Sequence, residues 1–294
     1  MYKIINKIVS SLKIIKLNNI EKKRLGKDLA NVYDRIVKRE YIQTDFSKDN
    51  KFNIPDRTKD FFWYLDSYCK TWKTISKLLN QLSVNKYKNV IDLCSWWAPK
   101  VTLWFFYSGY KWNVILLDKD TKSTWKLINF MKLFNPSYNL TRQNIDLFTE
   151  FDYKSDFIVW NHVIDDLIIS FYSNEYNYKV SNIYESENNL LKCWDNILNS
   201  WETFKSKVTY KISTIFDNLL LSNWIIIISQ YQSMIEYLLD LKYVTLYNKE
   251  VMNWIKEYLM NSWKYEDLSS ISYKVLKQKK DAFNASECII LKKK

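Results

Sequence analysis

From Lys88 to Ser229 the sequence repeats one unit, and this alternation constrains the fold more than any other feature: a short apolar run, then a stretch with apolar residues three and four apart. The runs are "NVIDL", "NVILLD" (Asn113 to Asp118), "YNLTRQNIDLF", "DFIVW" and "NWIIIIS". The first, second and fourth are followed by "VTLWFFYSG", "STWKLINFMKLF" and "NHVIDDLIISFYS". Runs this short read as strands, and helices between them let neighbouring strands run parallel. The expected fold class is α/β, a doubly wound, mostly parallel sheet. A mostly helical insertion, about 167–222, is longer than a single crossover needs. The tail "SISYKVLKQKKDAFNASECIILKKK" reads as two strands joined by a polar turn, an antiparallel finish to the sheet.

Residues 1–85 have a different rhythm. "IINKIVSSLKIIKLNNIEKKRLGKDLANVYDRIVKRE" and, after Pro55, "PDRTKDFFWYLDSYCKTWKTISKLLNQL" carry helical spacing, with the polar "YIQTDFSKDNKFNI" between them. The chain is thus expected to divide into a helical N-terminal cap region, 1–85, and an α/β domain, 86–294.

The formal net charge of +12 raises the question of a polyanionic partner. Only five of the 44 basic residues are arginine (Arg24, Arg35, Arg39, Arg57, Arg142), the side chain best suited to phosphates and base edges. The abundance of lysine, asparagine, isoleucine and tyrosine matches an AT-rich coding sequence. Most of the charge reads as compositional, with RNA binding as the alternative. The four cysteines are scattered and form no C-x-x-C pair, which points to a reduced, cytoplasmic protein without a structural metal. Met1 to Leu17 lacks the continuous apolar core of a signal peptide, and "NWIIIISQY" is too short to span a bilayer. No membrane partner is expected.

In an open α/β sheet, ligands bind outside the carboxyl ends of the strands, near the point where strand order reverses. Asp92 ends the first run and is followed by Cys94-Ser95-Trp96-Trp97-Ala98. Asp118, with Lys119 after it, ends the second, 26 residues beyond Asp92. Asp146 closes the third inside "NIDLF", flanked by Ile145 and Leu147. Asn161 and His162 follow the fourth.

Over about 88–294 this arrangement resembles the class I, Rossmann-like methyltransferases that use S-adenosyl-L-methionine. The resemblance implies that Asp92 supports the first loop and the methionine amino group. Cys94, Ser95 and Trp96 would form that loop, and Asp118 with Lys119 would take the ribose. Asp146 with Ile145 or Leu147 would frame the adenine, and Asn161 would wall the pocket. The family's glycines are replaced: Cys94 stands in the first glycine position, Trp96 in the second and Ala98 in the third. An indole at the second would occupy the space through which backbone N–H groups approach the ligand.

Globular chains average roughly 7% glycine, yet this one has two glycines and 13 tryptophans. Trp112, Trp160, Trp224 and Trp263 also fall where a turn or strand end would take glycine. One event explains both counts: UGA codons that specify glycine, read here as tryptophan. Trp104 and Trp125, within apolar helical faces, are expected to be genuine.

His162, the sole histidine, is a candidate catalytic base, with Asp166 four residues on to orient it. The alternative is that Asn161 and His162 only cap the following turn. Asp165 and Asp166 are adjacent on a helix and do not converge on a metal. An enclosed site favours a small or medium-sized acceptor; an RNA acceptor, or a non-catalytic binding protein on the same fold, are the alternatives.

Overall fold

The computed structural model describes residues 75–95, 100–134, 137–148, 153–230, 242–276 and 288–294. The seven strands are β1 (Asn89–Leu93), β2 (Asn113–Leu117), β3 (Leu140–Gln143), β4 (Ser155–Asn161), β5 (Leu220–Ser229), β6 (Tyr265–Asp267) and β7 (Cys288–Lys293). They form one sheet in the order β3-β2-β1-β4-β5-β7-β6. Every pairing from β3 to β5 is parallel, whereas β7 runs antiparallel to both β5 and β6. This is the Rossmann-like sheet expected from the alternation of runs. Strand order reverses between β1 and β4, so their carboxyl ends bound a crevice.

Side-chain alternation divides the core into two layers. Val90, Val114, Leu116, Phe157, Val159, Ile225, Ile227 and Ile290 face one layer. Ile91, Ile115, Leu117, Ile158, Trp160, Ile226, Ile228 and Leu291 face the other. The first layer is closed by a helix at 75–81 (α1), α2 (Lys100–Tyr107), α3 (Thr121–Phe134) and α9 (Ser269–Leu276). Their buried residues keep helical spacing, as with Ile75, Leu78, Leu79 and Leu82, or Thr124, Leu127 and Met131. The second layer is closed by α4 (Ile164–Glu175), α5 (Val180–Ile183), α6 (Glu187–Asn199), α7 (Trp201–Leu219) and α8 (Lys242–Asn261). The insertion after β4 therefore belongs to the sheet core: α6 contributes Leu190, Cys193, Trp194 and Ile197, one helical face.

Two features correct the sequence reading. "SISYKVL" is helix α9, and the strand that pairs with β7 is the short β6 upstream. A segment with apolar residues three and four apart has helical periodicity even when β-branched residues interrupt it. Trp160 and Trp224 lie in β4 and β5, the strands read from "DFIVW" and "NWIIIIS", but neither has the positive φ that would favour the glycine expected there, and Trp160 is fully buried against Phe216. Trp125 is more than half exposed, whereas Trp104 is buried in α2 as expected.

Helix α2 ends as a glycine ending should. Gly109 has φ of 77°, and the Tyr110 and Gly109 amides close onto the Phe105 and Phe106 carbonyls. Trp263 takes the equivalent position after α8, with φ of 60° and its amide on Met260 O. Of the tryptophans suspected of standing for glycine, Trp263 alone among those described has the backbone conformation that favours it.

Candidate cofactor and acceptor site

The carboxyl ends of β1, β2, β4 and β5 place the predicted residues along one edge. Leu93 pairs with Leu117 on one side and Trp160 on the other. The Cys94 amide then continues the ladder to Leu117 O at 2.8 Å. There the chain turns: Cys94 has φ of 54°, in the left-handed region that favours glycine. Trp96, together with Trp97, Ala98 and Pro99, lies outside the described residues.

Asp92 is the most unusual group of the edge. It is 3% exposed, and its Oδ2, like the Ser95 hydroxyl three residues later, has no hydrogen-bond partner. Burial pushes its carboxyl well above the usual carboxylate range, the Asp118 charge pushes it further, and Lys100 opposes both. Ionising a carboxyl with an unpaired oxygen is costly at this depth.

Asp118 follows β2 and accepts the Asp120 amide on Oδ1 at 2.8 Å. Burial, Asp118 and Asp166 together push the Cys94 thiol well above its ordinary value, while exposed Lys119 pulls the other way. These effects favour the neutral thiol at Cys94 over a nucleophilic thiolate. They group Asp92, Asp118, Lys119 and Asp166 about the Cys94 thiol. Asp146 sits three residues beyond the end of β3, not within it, and accepts the Phe148 amide at 3.0 Å. Ile145 and Leu147 beside it pack into the second core layer.

At β4 and β5, Ser229 Oγ donates to Asn161 Oδ1 at 2.8 Å and the His162 amide donates to Ser229 O at 2.7 Å. His162 has φ of 58°. Two sequence expectations change here. The α4 N-cap position, Val163, offers no side-chain cap; Gln230 Oε1 instead accepts the Ile164 amide at 3.3 Å. Asp166 is not hydrogen-bonded to His162: its Oδ1 accepts the Tyr184 hydroxyl at 2.6 Å. A helix carries residues four apart on one face, but the left-handed bend at His162 takes that residue out of the helix. The aspartate near the imidazole is Asp165, reached through Gln230. Sequence reasoning missed Tyr184, Ser229 and Gln230. For the last two the signal was present, since they end and follow a recognisable strand.

No protein-family model matches the chain, and no curated protein sequence matches it. Among solved structures, the plantazolicin methyltransferase BpumL in complex with SAH aligns at TM-score 0.44 and 11% identity, covering 90% of this chain and 99% of that one. Magnesium protoporphyrin IX methyltransferase (ChlM) from Synechocystis PCC 6803 with bound SAM aligns at TM-score 0.41 and 10% identity, covering 88% and 95%. Human N-acetylserotonin methyltransferase (ASMT) in complex with SAM aligns at TM-score 0.41 and 9% identity, covering 93% and 69%. Among the described residues, no three His, Cys, Asp or Glu side chains are grouped to hold a metal. No described helix is long and apolar enough to cross a membrane.

Proposed function

We propose that the chain is an S-adenosyl-L-methionine-dependent methyltransferase acting on a small or medium-sized acceptor. The observation that carries this reading is the buried Asp92 carboxyl at the strand-order reversal, its Oδ2 without a hydrogen-bond partner, beside the left-handed turn at Cys94. A ligand ammonium paired there would offset the cost of burying the charge. Asp118, with Lys119, is assigned to the ribose hydroxyls; Asp146 with Ile145 or Leu147 to the adenine; Ser95 and Asn161 to the pocket wall. The concentration of carboxylates at the mouth of a chain of charge +12 suits a cationic ligand and disfavours a polyanion at that place.

When bound, the cofactor supplies a methyl group activated by the sulfonium. The chain's own task is alignment: holding the acceptor in line with the methyl group and excluding water. His162 and Asp166 stand at the acceptor side of the edge, and Tyr184 brings the insertion to the same place.

The same proposal includes the first loop. With glycine at Trp96 and Trp97 it reads "DLCSGGAPKV", which lets backbone N–H groups reach a ligand. We attribute Trp96, Trp97 and Trp263 to UGA codons specifying glycine; the count of two glycines and the left-handed Trp263 support this. A gene with UGG at positions 96, 97 and 263 removes it.

The experiment is calorimetric titration of S-adenosylhomocysteine into two proteins, one with glycine at positions 96 and 97 and one with the sequence as written. Micromolar binding by the first and none by the second is expected. No binding by the first would sink the methyltransferase reading and leave a non-catalytic binding protein.

A further inference from the structure

We propose that Gln230 is a positioning residue that holds His162 in its Nε2–H tautomer, making the imidazole a hydrogen-bond donor where the sequence suggested a proton acceptor. Its meaning for catalysis rests on the methyl-transfer reading; the tautomer itself does not.

Gln230 follows β5 directly and is wholly buried. Its amide makes three contacts on the α4 side of the edge. Oε1 lies 3.3 Å from the Ile164 amide nitrogen, and Nε2 lies 3.3 Å from His162 Nδ1 and 3.5 Å from Asp165 Oδ1. A backbone N–H can face only an acceptor, so the side-chain oxygen belongs at Ile164. The NH2 group, with its two hydrogens, then faces His162 Nδ1 and Asp165 Oδ1. Each of those atoms must accept. In a neutral imidazole the nitrogen that accepts carries no hydrogen, so the ring proton sits on Nε2.

The surroundings hold the ring in place. The His162 amide is tied to Ser229 O at 2.7 Å, and Ser229 Oγ is tied to Asn161, so β4 and β5 fix the backbone from which the imidazole projects. A purely structural role for Gln230, capping α4, needs only its oxygen. The amide nitrogen is the part that reads His162.

His162 is the sole histidine, so a long-range nitrogen–proton correlation spectrum of the full chain shows one imidazole. In the parent protein the unprotonated nitrogen is expected to be Nδ1. In Gln230→Leu, which removes the amide and keeps the bulk, the ring is expected to become a mixture of both tautomers. A parent protein protonated on Nδ1 overturns the proposal, and this measurement needs no variant. A folded Gln230→Leu with the parent's single tautomer overturns it also, since another group would then be setting the proton. Neither outcome depends on cofactor binding, so failure of the methyltransferase reading would be seen separately, in the titration.

Discussion

Tyr184 Oη donates to Asp166 Oδ1 at 2.6 Å and so ties the turn after α5 to the first turn of α4. Desolvation pushes the Asp166 carboxyl up, while the Tyr184 hydrogen bond and Lys119 pull it down. A hydrogen bond to a charged acceptor contributes about 1.5–3 kcal/mol, and solvent access at this rim reduces that to about 1 kcal/mol. Tyr184→Phe should therefore lower stability modestly, and more above the raised pKa of Asp166, where the carboxylate is ionised, than below it. Thermal melts of both proteins across pH check it; a difference independent of pH would show that the hydroxyl's contribution does not depend on the Asp166 charge.

Asp92→Asn should stabilise the ligand-free chain in a pH-dependent way. The folded-state pKa of Asp92 is raised above its ordinary value, so the parent's stability is full in acid and is lost as pH rises through that raised value. The asparagine variant escapes the loss. Its advantage should be absent in acid and reach about 1–3 kcal/mol above the raised pKa, read by urea unfolding at several pH values. In the protein with glycine at positions 96 and 97 the same substitution should abolish S-adenosylhomocysteine binding.

The affinity for S-adenosylhomocysteine, in the protein with glycine at positions 96 and 97, should rise with pH. Below the raised pKa of Asp92 the free protein must give up a proton before the carboxylate can pair with the ligand ammonium. The dissociation constant should fall about tenfold per pH unit there and level off above it. Calorimetry in buffers of different ionisation enthalpy would also register the released proton. A flat profile would remove Asp92 from the ammonium site.

Lys205 is buried between α7 and α8, with Glu250 Oε1 at 2.6 Å, Glu202 at 3.3 Å and the Trp254 ring 4.3 Å below its ammonium. The Trp201 indole donates to the other Glu250 oxygen at 3.1 Å. Glu250→Ala leaves a buried cation with a single exposed partner. Its cost should be about 2–3 kcal/mol, less than the loss of a fully buried pair because Glu250 is partly exposed. The Lys205 and Trp201 contacts hold the Glu250 carboxyl below its ordinary range against the pull of burial, so the difference from the parent should shrink as pH falls through that range.

Trp263→Gly should stabilise the chain. The position is left-handed and its side chain is 84% exposed, so little packing is lost when backbone strain is relieved. The gain should be about 1 kcal/mol, or about 2–4 °C in melting temperature. Trp160→Gly should do the reverse, by emptying a core position beside Phe216.

Much of this protein is written in local pattern. The five apolar runs determine the strands of the parallel part of the sheet because alternate side chains of "VIDL" or "IIII" can be buried only if both faces are covered. The acids at the run ends identify the edge, since polar groups that close buried strands must emerge where the strands do. The tertiary structure decided what no spacing encodes. It bent His162 out of the helix and gave Asp166 to a tyrosine from the insertion. It also brought Gln230, 68 residues from His162, to the ring nitrogen. It put left-handed geometry at Trp263 and not at Trp160 or Trp224, because a residue's φ depends on where the chain must go next. Periodicity is a property of neighbours in sequence. The partners of a titratable side chain are neighbours only in space, and they set its chemistry.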